Sequence, residues 1–191
     1  MDLVLASTSP YRRELLGRLG VPFRCRAPLV DEEALKRDDL EPRALAELLA
    51  RAKVESLCAE EPRATLVGGD QLVAFQGRIL GKPGSIGRAE EQLLDLAGRA
   101  HDLITALVVG HEGRVFTHTD VTTLWLRPLR REEIARYVAA DRPLDCAGSY
   151  KLEARGIALF ERIESRDHSA ISGVPLIALT AILRELGYRI P

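Results

Sequence analysis

The order of apolar and polar residues along the 191-residue chain predicts alternating strands and helices. Short apolar runs that end at turn residues are typical of buried strands, whereas apolar residues three and four apart indicate helices. We expect strands at 3–6, 23–27, 65–69, 102–109, 115–126 and 157–163, and a hairpin over 72–80 that turns at Gln76-Gly77. We expect helices at 10–19, from Pro42 onwards, and at 88–96, 131–139 and 175–186. Because strands and helices interleave, the sequence predicts one mixed α/β domain over residues 1–191.

Composition narrows the class of protein without changing this picture. With 46% hydrophobic and 29% charged residues, the chain is typical of a soluble globular protein. The net charge of -1 argues against a nucleic-acid partner, which needs a basic surface. No apolar run reaches the roughly 20 residues that span a bilayer, and the first residues lack a signal-peptide pattern, so we expect no membrane partner and a cytoplasmic location. Cys25, Cys58 and Cys146 are widely spaced, so we expect three small buried thiols and neither a disulfide framework nor a zinc site.

The first strand-to-helix junction carries candidate chemistry. Ser9 is placed as a helix N-cap and Pro10 as the first helical residue. Arg12 and Arg13 follow in the first turn, where the helix dipole makes cations unfavourable. An anion docked at the helix start explains this placement, and a solvated basic turn paired with Glu14 explains it equally well. Both interpretations stay open on the sequence of this segment.

Two later segments add charged candidates. Gly81-Lys82-Pro83 lacks the spacing and the Ser or Thr of a Walker loop, so Lys82 is either a fixed point charge or an ordinary surface lysine. Asp70 follows an apolar strand and two glycines, a common place for a metal ligand or a general base. Glu32 and Glu33 are further candidates, although acidic runs usually face solvent. Carboxylates and cations together suit metal-assisted phosphoryl chemistry, but they do not choose between a hydrolase, a nucleotidyltransferase and a phosphate-binding regulator.

Five segments in order along the chain resemble the signatures of the Maf family. They are LASTSPYRRELL, VDE at residues 30–32, GGDQLVAFQGRILGKP, the GRAH…TA segment from Gly98, and PLDCAGSYKLEARGIALFERIE followed by GVPLIAL. The resemblance covers residue 3 to about residue 186. It implies a Maf/ITPase-like fold, with two lobes around a cleft and a central twisted mixed sheet flanked by helices, often as a homodimer.

The resemblance also implies an activity and a site. Maf proteins are nucleoside triphosphate pyrophosphatases that act on non-standard nucleotides with a divalent metal, here Mg²⁺ or Mn²⁺. Asp70 matches the general base of the family, and Glu32 matches the acidic residue that helps it to hold the metal. The phosphate-contacting cations of the family match Arg12, Arg13, Lys53 and Lys82.

Three positions resemble the YceF-like branch of the family, whose implied substrate is the modified nucleotide 7-methyl-GTP. They are Tyr11, Gln71 and Glu153, where most Maf proteins have Arg, Thr and Gln. Methylated guanine is cationic, so stacking on Tyr11 is worth roughly 0.5–2 kcal/mol, and Glu153 offers an acceptor to the base. Simple packing of Tyr11 and a salt-bridged Glu153 are the alternatives. Ala154 and Leu152 depart from the branch pattern.

Two alternative functions stay open. One is a Maf pyrophosphatase for dTTP, UTP or CTP, and the other is a non-catalytic regulator of cell division.

Overall fold

The computed structural model describes residues 1–36 and 40–191 as a mixed α/β protein. Its strands are β1 (Leu3–Ala6), β2 (Arg24–Arg26), β3 (Thr65–Phe75), β4 (Arg78–Leu80), β5 (Ala100–His111), β6 (Arg114–Leu126) and β7 (Phe160–Glu164). Its helices are α1 (Pro10–Gly17), α2 (Glu32–Leu35), α3 (Pro42–Glu55), α4 (Ile86–Leu96), α5 (Arg131–Asp141), α6 (His168–Ile171) and α7 (Leu176–Glu185). Short 3₁₀ helices lie at Ala147–Ser149 and Arg155–Leu159.

The strands form one mixed sheet. Hydrogen-bonded neighbours run in the order β2-β1-β3-β5-β6-β7, and β4 pairs with β3 outside this path. β1 is parallel to both β2 and β3, whereas β4 is antiparallel to β3 and β7 is antiparallel to β6. Parallel and antiparallel pairs therefore occur in the same sheet, and the predicted fold class is confirmed.

Local sequence signals fix several element boundaries as predicted. The Ser9 hydroxyl accepts the Arg12 N–H and Pro10 opens α1, although α1 ends at Gly17, earlier than expected. Gln76-Gly77 and Glu112-Gly113 both have positive φ at both residues, the geometry of a two-residue hairpin turn. These turns join β3 to β4 and β5 to β6.

The chain divides into two compact units. The first unit comprises Met1–Gln71, Thr105–Asp120 and Asp167–Pro191, and the second comprises Leu72–Ile104 and Val121–Arg166. The core of the first unit combines residues of β1, α1, β3, β5 and α7; it includes the fully buried Leu5, Val67 and Leu183. In the second unit α4 packs against α5. The single domain over 1–191 stays a prediction.

Two element predictions are wrong. The expected strand at 157–163 begins as the 3₁₀ helix Arg155–Leu159, and only Phe160–Glu164 is extended. A Cβ on Gly156 would lie 2.3 Å from the Lys151 carbonyl oxygen, so the chain folds back tightly where periodicity suggested a strand. Asp70 does not end a strand either, because β3 continues through it to Phe75.

The cysteines and two short helices also differ from expectation. Cys25 and Cys58 are exposed and Cys146 is half-buried, so the prediction of three buried thiols is wrong; all three are free. Helices α2 and α6 were not predicted, since four residues are too few for apolar periodicity. Their N-caps, Asp31 and Asp167, are the signals that mark them.

Candidate active site

Asp70 is placed by the close packing of α3 on β3 in the first unit. A Cβ on Gly68 would lie 2.7 Å from Val54 Cγ2 and 2.8 Å from the Ala50 carbonyl oxygen, so only glycine allows this approach. The approach brings Lys53 of α3 beside Asp70, with Lys53 Nζ 2.7 Å from Asp70 Oδ1. Glycine therefore serves here to seat a helix on the strand, not to end the strand.

Lys53 bridges two carboxylates. Its Nζ also lies 3.2 Å from Glu32 Oε1 at the start of α2. Lys53 and Asp70 are buried, at 5% and 6% exposure, whereas the Glu32 side chain is 43% exposed. A buried ion pair needs hydrogen bonds as well as charge to offset desolvation. The three residues bring the two predicted metal ligands and one predicted phosphate ligand into a single cluster.

Burial and neighbouring charges act on the Asp70 carboxyl in opposite directions. Burial is the largest single effect on the pKa of Asp70 and raises it; the Lys53 charge and hydrogen bond and the Arg12 charge lower this pKa, and the Glu32 charge raises it. The net pKa of Asp70 is raised above its ordinary value. Burial also lowers the pKa of the Arg12 guanidinium, against the carboxylates of Asp70 and Glu32, but an arginine stays protonated in proteins. Asp70 is thus a more basic carboxylate than an exposed aspartate.

The two arginines of the first turn of α1 lie in different environments. Arg12 is half-buried, and its Nε donates to the Gly173 carbonyl oxygen at 3.1 Å. Arg13 is exposed and lines a cavity of about 770 Å³ together with Ser7, Thr8 and Ser9. Glu14 pairs with Arg18 at 3.1 Å. The helix start therefore combines capped backbone, hydroxyl groups and an accessible guanidinium, as an anion site requires.

Gln71 follows Asp70 and is held by its amide nitrogen. Nε2 donates to Thr105 Oγ1 at 2.9 Å, to the Ala170 oxygen at 2.9 Å and to the Ile171 oxygen at 3.1 Å. Two of these partners are carbonyls, which only accept, so the nitrogen must face them and Oε1 must lie on the other side of the amide. Gln71 thus presents an acceptor. Tyr11, the other specificity candidate in this unit, is 37% exposed.

The second unit carries Lys82 and Glu153, both exposed. Gln92 of α4 supports the loops that hold them: its Nε2 donates to the Gly81 oxygen at 3.1 Å, and its Oε1 accepts the Ser149 hydroxyl. The Tyr137 hydroxyl accepts the Lys151 N–H at 2.8 Å and further fixes the segment before Glu153. Sequence reasoning missed Gln92 and Tyr137, because neither carries a charge or a motif of its own.

An aromatic cluster includes Tyr150 of the same segment. His101 Nε2 lies 3.0 Å from the Tyr150 hydroxyl, and the Tyr150 ring meets Phe160 edge-on with centroids 5.0 Å apart. Burial lowers the pKa of His101 to about 4, so the ring is neutral near pH 7. His101 thus acts as a structural histidine in the second unit.

The structure gathers part of the predicted site and leaves the cofactor as a prediction. Arg12, Glu32, Lys53 and Asp70 interact in the first unit. Among residues 1–36 and 40–191, no group of three or more His, Cys, Asp or Glu side chains could hold a metal ion. In the same residues no helix is long and apolar enough to cross a membrane. The roles of the individual residues stay predictions.

These features define a mixed α/β protein with a buried carboxylate that pairs with an ammonium and interacts with the charge of a guanidinium. The chain belongs to the Maf family, since residues 2–186 match the family model described as Maf-like protein. It is 51% identical to the 7-methyl-GTP pyrophosphatase of Bdellovibrio bacteriovorus, over 96% of each chain. The protein of that name from Xanthomonas campestris pv. campestris is 44% identical over 99% of this chain and 98% of its own length. A third such protein, from Pseudomonas putida, is 41% identical over the whole of both chains.

Proposed function

We propose that this chain is a nucleoside triphosphate pyrophosphatase that cuts 7-methyl-GTP to 7-methyl-GMP and pyrophosphate, and so prevents incorporation of a modified nucleotide. The main observation in its support is the buried Asp70 carboxylate, which lies 2.7 Å from Lys53 and close enough to Arg12 to interact with its charge. Relatives that match 96–100% of the chain bear the name of this activity. Function therefore rests on a site and on family membership together.

In the proposed reaction Asp70 is the general base. It takes a proton from a water molecule whose oxygen attacks the α-phosphorus in line, and the bond from that phosphorus to the α–β bridging oxygen breaks. Pyrophosphate leaves with the electron pair of that bond. The raised pKa of Asp70 supports this role, because a more basic carboxylate removes a proton more readily at neutral pH.

Four cations bind the triphosphate in this proposal. Arg12 uses Nε on the Gly173 carbonyl, and its two terminal amino groups carry four further N–H donors. The ammonium of Lys53 has three N–H groups. It donates one to Asp70 Oδ1 and lies 3.2 Å from Glu32 Oε1, so donor capacity remains for a phosphate oxygen. Arg13 and Lys82 are exposed and free to follow the substrate. These donors offset the charge that develops on the leaving pyrophosphate.

The carboxylates of this site fit a divalent cation of the Mg²⁺ type. Lys53 contacts one oxygen of each carboxylate, Asp70 Oδ1 and Glu32 Oε1, so the second oxygens of two neighbouring carboxylates can serve as hard donors to a metal ion. Mg²⁺ commonly takes one or two protein carboxylates and completes its shell with water and substrate phosphates, which suits the two carboxylates that the described residues bring together. When bound, the ion neutralises charge on the phosphate oxygens.

The base is recognised by three residues. Tyr11 stacks on the cationic ring, a role that its 37% exposure allows. Gln71 Oε1 and the Glu153 carboxylate accept hydrogen bonds from the guanine edge. Since the Gln71 amide nitrogen is held by three oxygens, its acceptor end has a fixed direction, which favours selection over mere binding.

Pyrophosphate release tests the proposal directly. The panel comprises 7-methyl-GTP, GTP, dTTP, UTP, CTP and ITP, each with Mg²⁺ or Mn²⁺. We expect preference for 7-methyl-GTP over GTP, and we expect Asp70→Asn to lower kcat by a factor of about a hundred or more. Asp95→Asn, at an exposed aspartate of α4, is the matched control. Preference for a pyrimidine would reject the substrate, and a failure of every nucleotide to react would reject the enzyme.

A further inference from the structure

The backbone at residues 170–173, between α6 and α7 in the first unit, holds two functional side chains at once. The carbonyl oxygens of Ala170 and Ile171 accept from the Gln71 amide, and the carbonyl oxygen of Gly173 accepts from Arg12 Nε. Carbonyls within a fixed backbone cannot rotate away as a side chain can. One short segment therefore sets the positions of a predicted base contact and a predicted phosphate contact relative to each other.

The shape of the 170–173 segment depends on Gly173. This residue has φ of +109°, a conformation that side chains with a Cβ rarely adopt. A Cβ here would also lie 3.4 Å from Cγ and from Nε of Arg12. The backbone and the arginine therefore fit closely, and a shift of the segment would displace the guanidinium.

Two side chains outside the segment fix it at both ends. Asp167 is buried; its Oδ1 accepts the Ser169 N–H at 2.9 Å and the Ser169 hydroxyl, and its Oδ2 accepts the Ile177 N–H at 2.8 Å. Ser169 Oγ in turn accepts the Leu176 N–H at 2.7 Å. This pair caps the start of α6 and the start of α7, and a carboxylate at a helix start is further stabilised by the helix dipole.

We propose that Asp167 and Ser169 are positioning residues of the active site, which hold the 170–173 carbonyls where they lock Arg12 for the triphosphate and Gln71 for the base. The functional half of this inference rests on the proposed function. The mechanical half is that Asp167 and Ser169 hold the hydrogen bonds to the side chains of Arg12 and Gln71 in place. It does not depend on the proposed function.

Proton exchange at these two side chains tests the mechanical half in the intact protein. We expect Ser169→Ala to speed exchange of the Arg12 Nε–H and the Gln71 amide protons, measured by NMR, by about fivefold, the amount one cap hydrogen bond is worth. Ser169→Thr keeps the hydroxyl and should restore slow exchange. Tyr188→Phe is the matched control: it removes hydrogen bonds to Thr65 and Asp2 elsewhere in this unit and should leave both signals unchanged. Unchanged exchange in Ser169→Ala would overturn the proposal, whatever the enzyme acts on.

Kinetics test the functional half. We expect Ser169→Ala and Asp167→Asn to raise KM and to lower the preference for 7-methyl-GTP over GTP, each by about fivefold. A merely structural role would reduce the amount of folded enzyme, and thus apparent kcat, while KM and preference stay as in the wild type; that result would overturn positioning and leave the proposed function standing. In a Gln71→Ala background, Ser169→Ala should no longer change the preference.

Discussion

Lys53 joins a buried ion pair to the proposed chemistry of Asp70. Its ammonium neutralises the buried Asp70 and draws Glu32 to the same point. Its charge and hydrogen bond lower the pKa of Asp70, while burial and the Glu32 charge raise it. The basicity of Asp70 is therefore a balance, and single substitutions can shift it in either direction.

Replacing Lys53 with methionine should move the acid limb of the pH–activity profile. Without the ammonium, burial acts unopposed by this partner, so the pKa of Asp70 rises. The general base must be ionised to act. As the pH is lowered, activity is therefore lost at a higher pH than in the wild type. We also expect kcat/KM to fall about a hundredfold, since a phosphate donor is removed. The measurement is kcat/KM against pH, with the folded fraction checked at each pH.

Glu32→Gln is the matched variant, for which we expect the acid limb to move in the opposite direction. The Glu32 charge raises the pKa of Asp70, so its removal should move the acid limb to lower pH. If both variants moved the limb in the same direction, or neither moved it, Asp70 would not be the titrating base.

Some site residues are visible in the sequence, and others depend on the folded chain. Arg12 and Asp70 stand at a helix start and after paired glycines, and these local contexts suggest chemistry. Lys53 is 17 residues from Asp70, so only the family resemblance pointed to it. Asp167 and Ser169 act through backbone groups of α7, and nothing in the spacing of residues reveals such partners.

At the scale of elements, long periodic segments are predicted well and short irregular ones are not. The apolar face of α3 and the capped start of α1 follow from sequence, because packing and capping are encoded within one helix. The 3₁₀ helix at Arg155–Leu159 is not predictable in this way, since Gly156 bends the chain against the backbone of Lys151. Gly68 before Asp70 is likewise ambiguous in the sequence, because close packing on α3 and a strand end call for the same residue.

Gln92 of α4 bonds to the loops that hold Lys82 and Glu153, and its two contacts can be broken separately. Gln92→Glu keeps an oxygen that accepts from Ser149. It replaces the amide nitrogen that donates to the Gly81 carbonyl with a second oxygen, so that hydrogen bond is lost. We expect KM to rise about two- to tenfold for every nucleotide, because the loop of Lys82 loosens. Ser149→Ala should instead lower the preference for 7-methyl-GTP over GTP, because it frees the segment before Glu153. Steady-state kinetics on both nucleotides separate the two effects, and identical profiles for the two variants would refute this division.

At the scale of the whole molecule, each unit carries both phosphate and base candidates. The first unit has Arg12 and Arg13 with Tyr11 and Gln71, and the second has Lys82 with Glu153. Neither unit alone contains the full set of predicted contacts. The predicted contacts of the two units can therefore be changed and tested separately.

Exchanging the three specificity residues tests whether they select the base. Tyr11→Arg with Gln71→Thr alters the first unit, and Glu153→Gln alters the second. Because all three residues are proposed contacts of a cationic purine, we expect either change alone to weaken the preference for 7-methyl-GTP and all three together to favour pyrimidine triphosphates.

Gln71→Thr also removes a donor from the Ala170 and Ile171 carbonyls, at a cost of about 1–3 kcal/mol, so unfolding must be measured beside pyrophosphate release. Thr105 keeps its own bond to Ala170, which limits the damage and leaves the variant testable. If the triple variant were well folded and retained the wild-type order of substrates, these residues would not select the base.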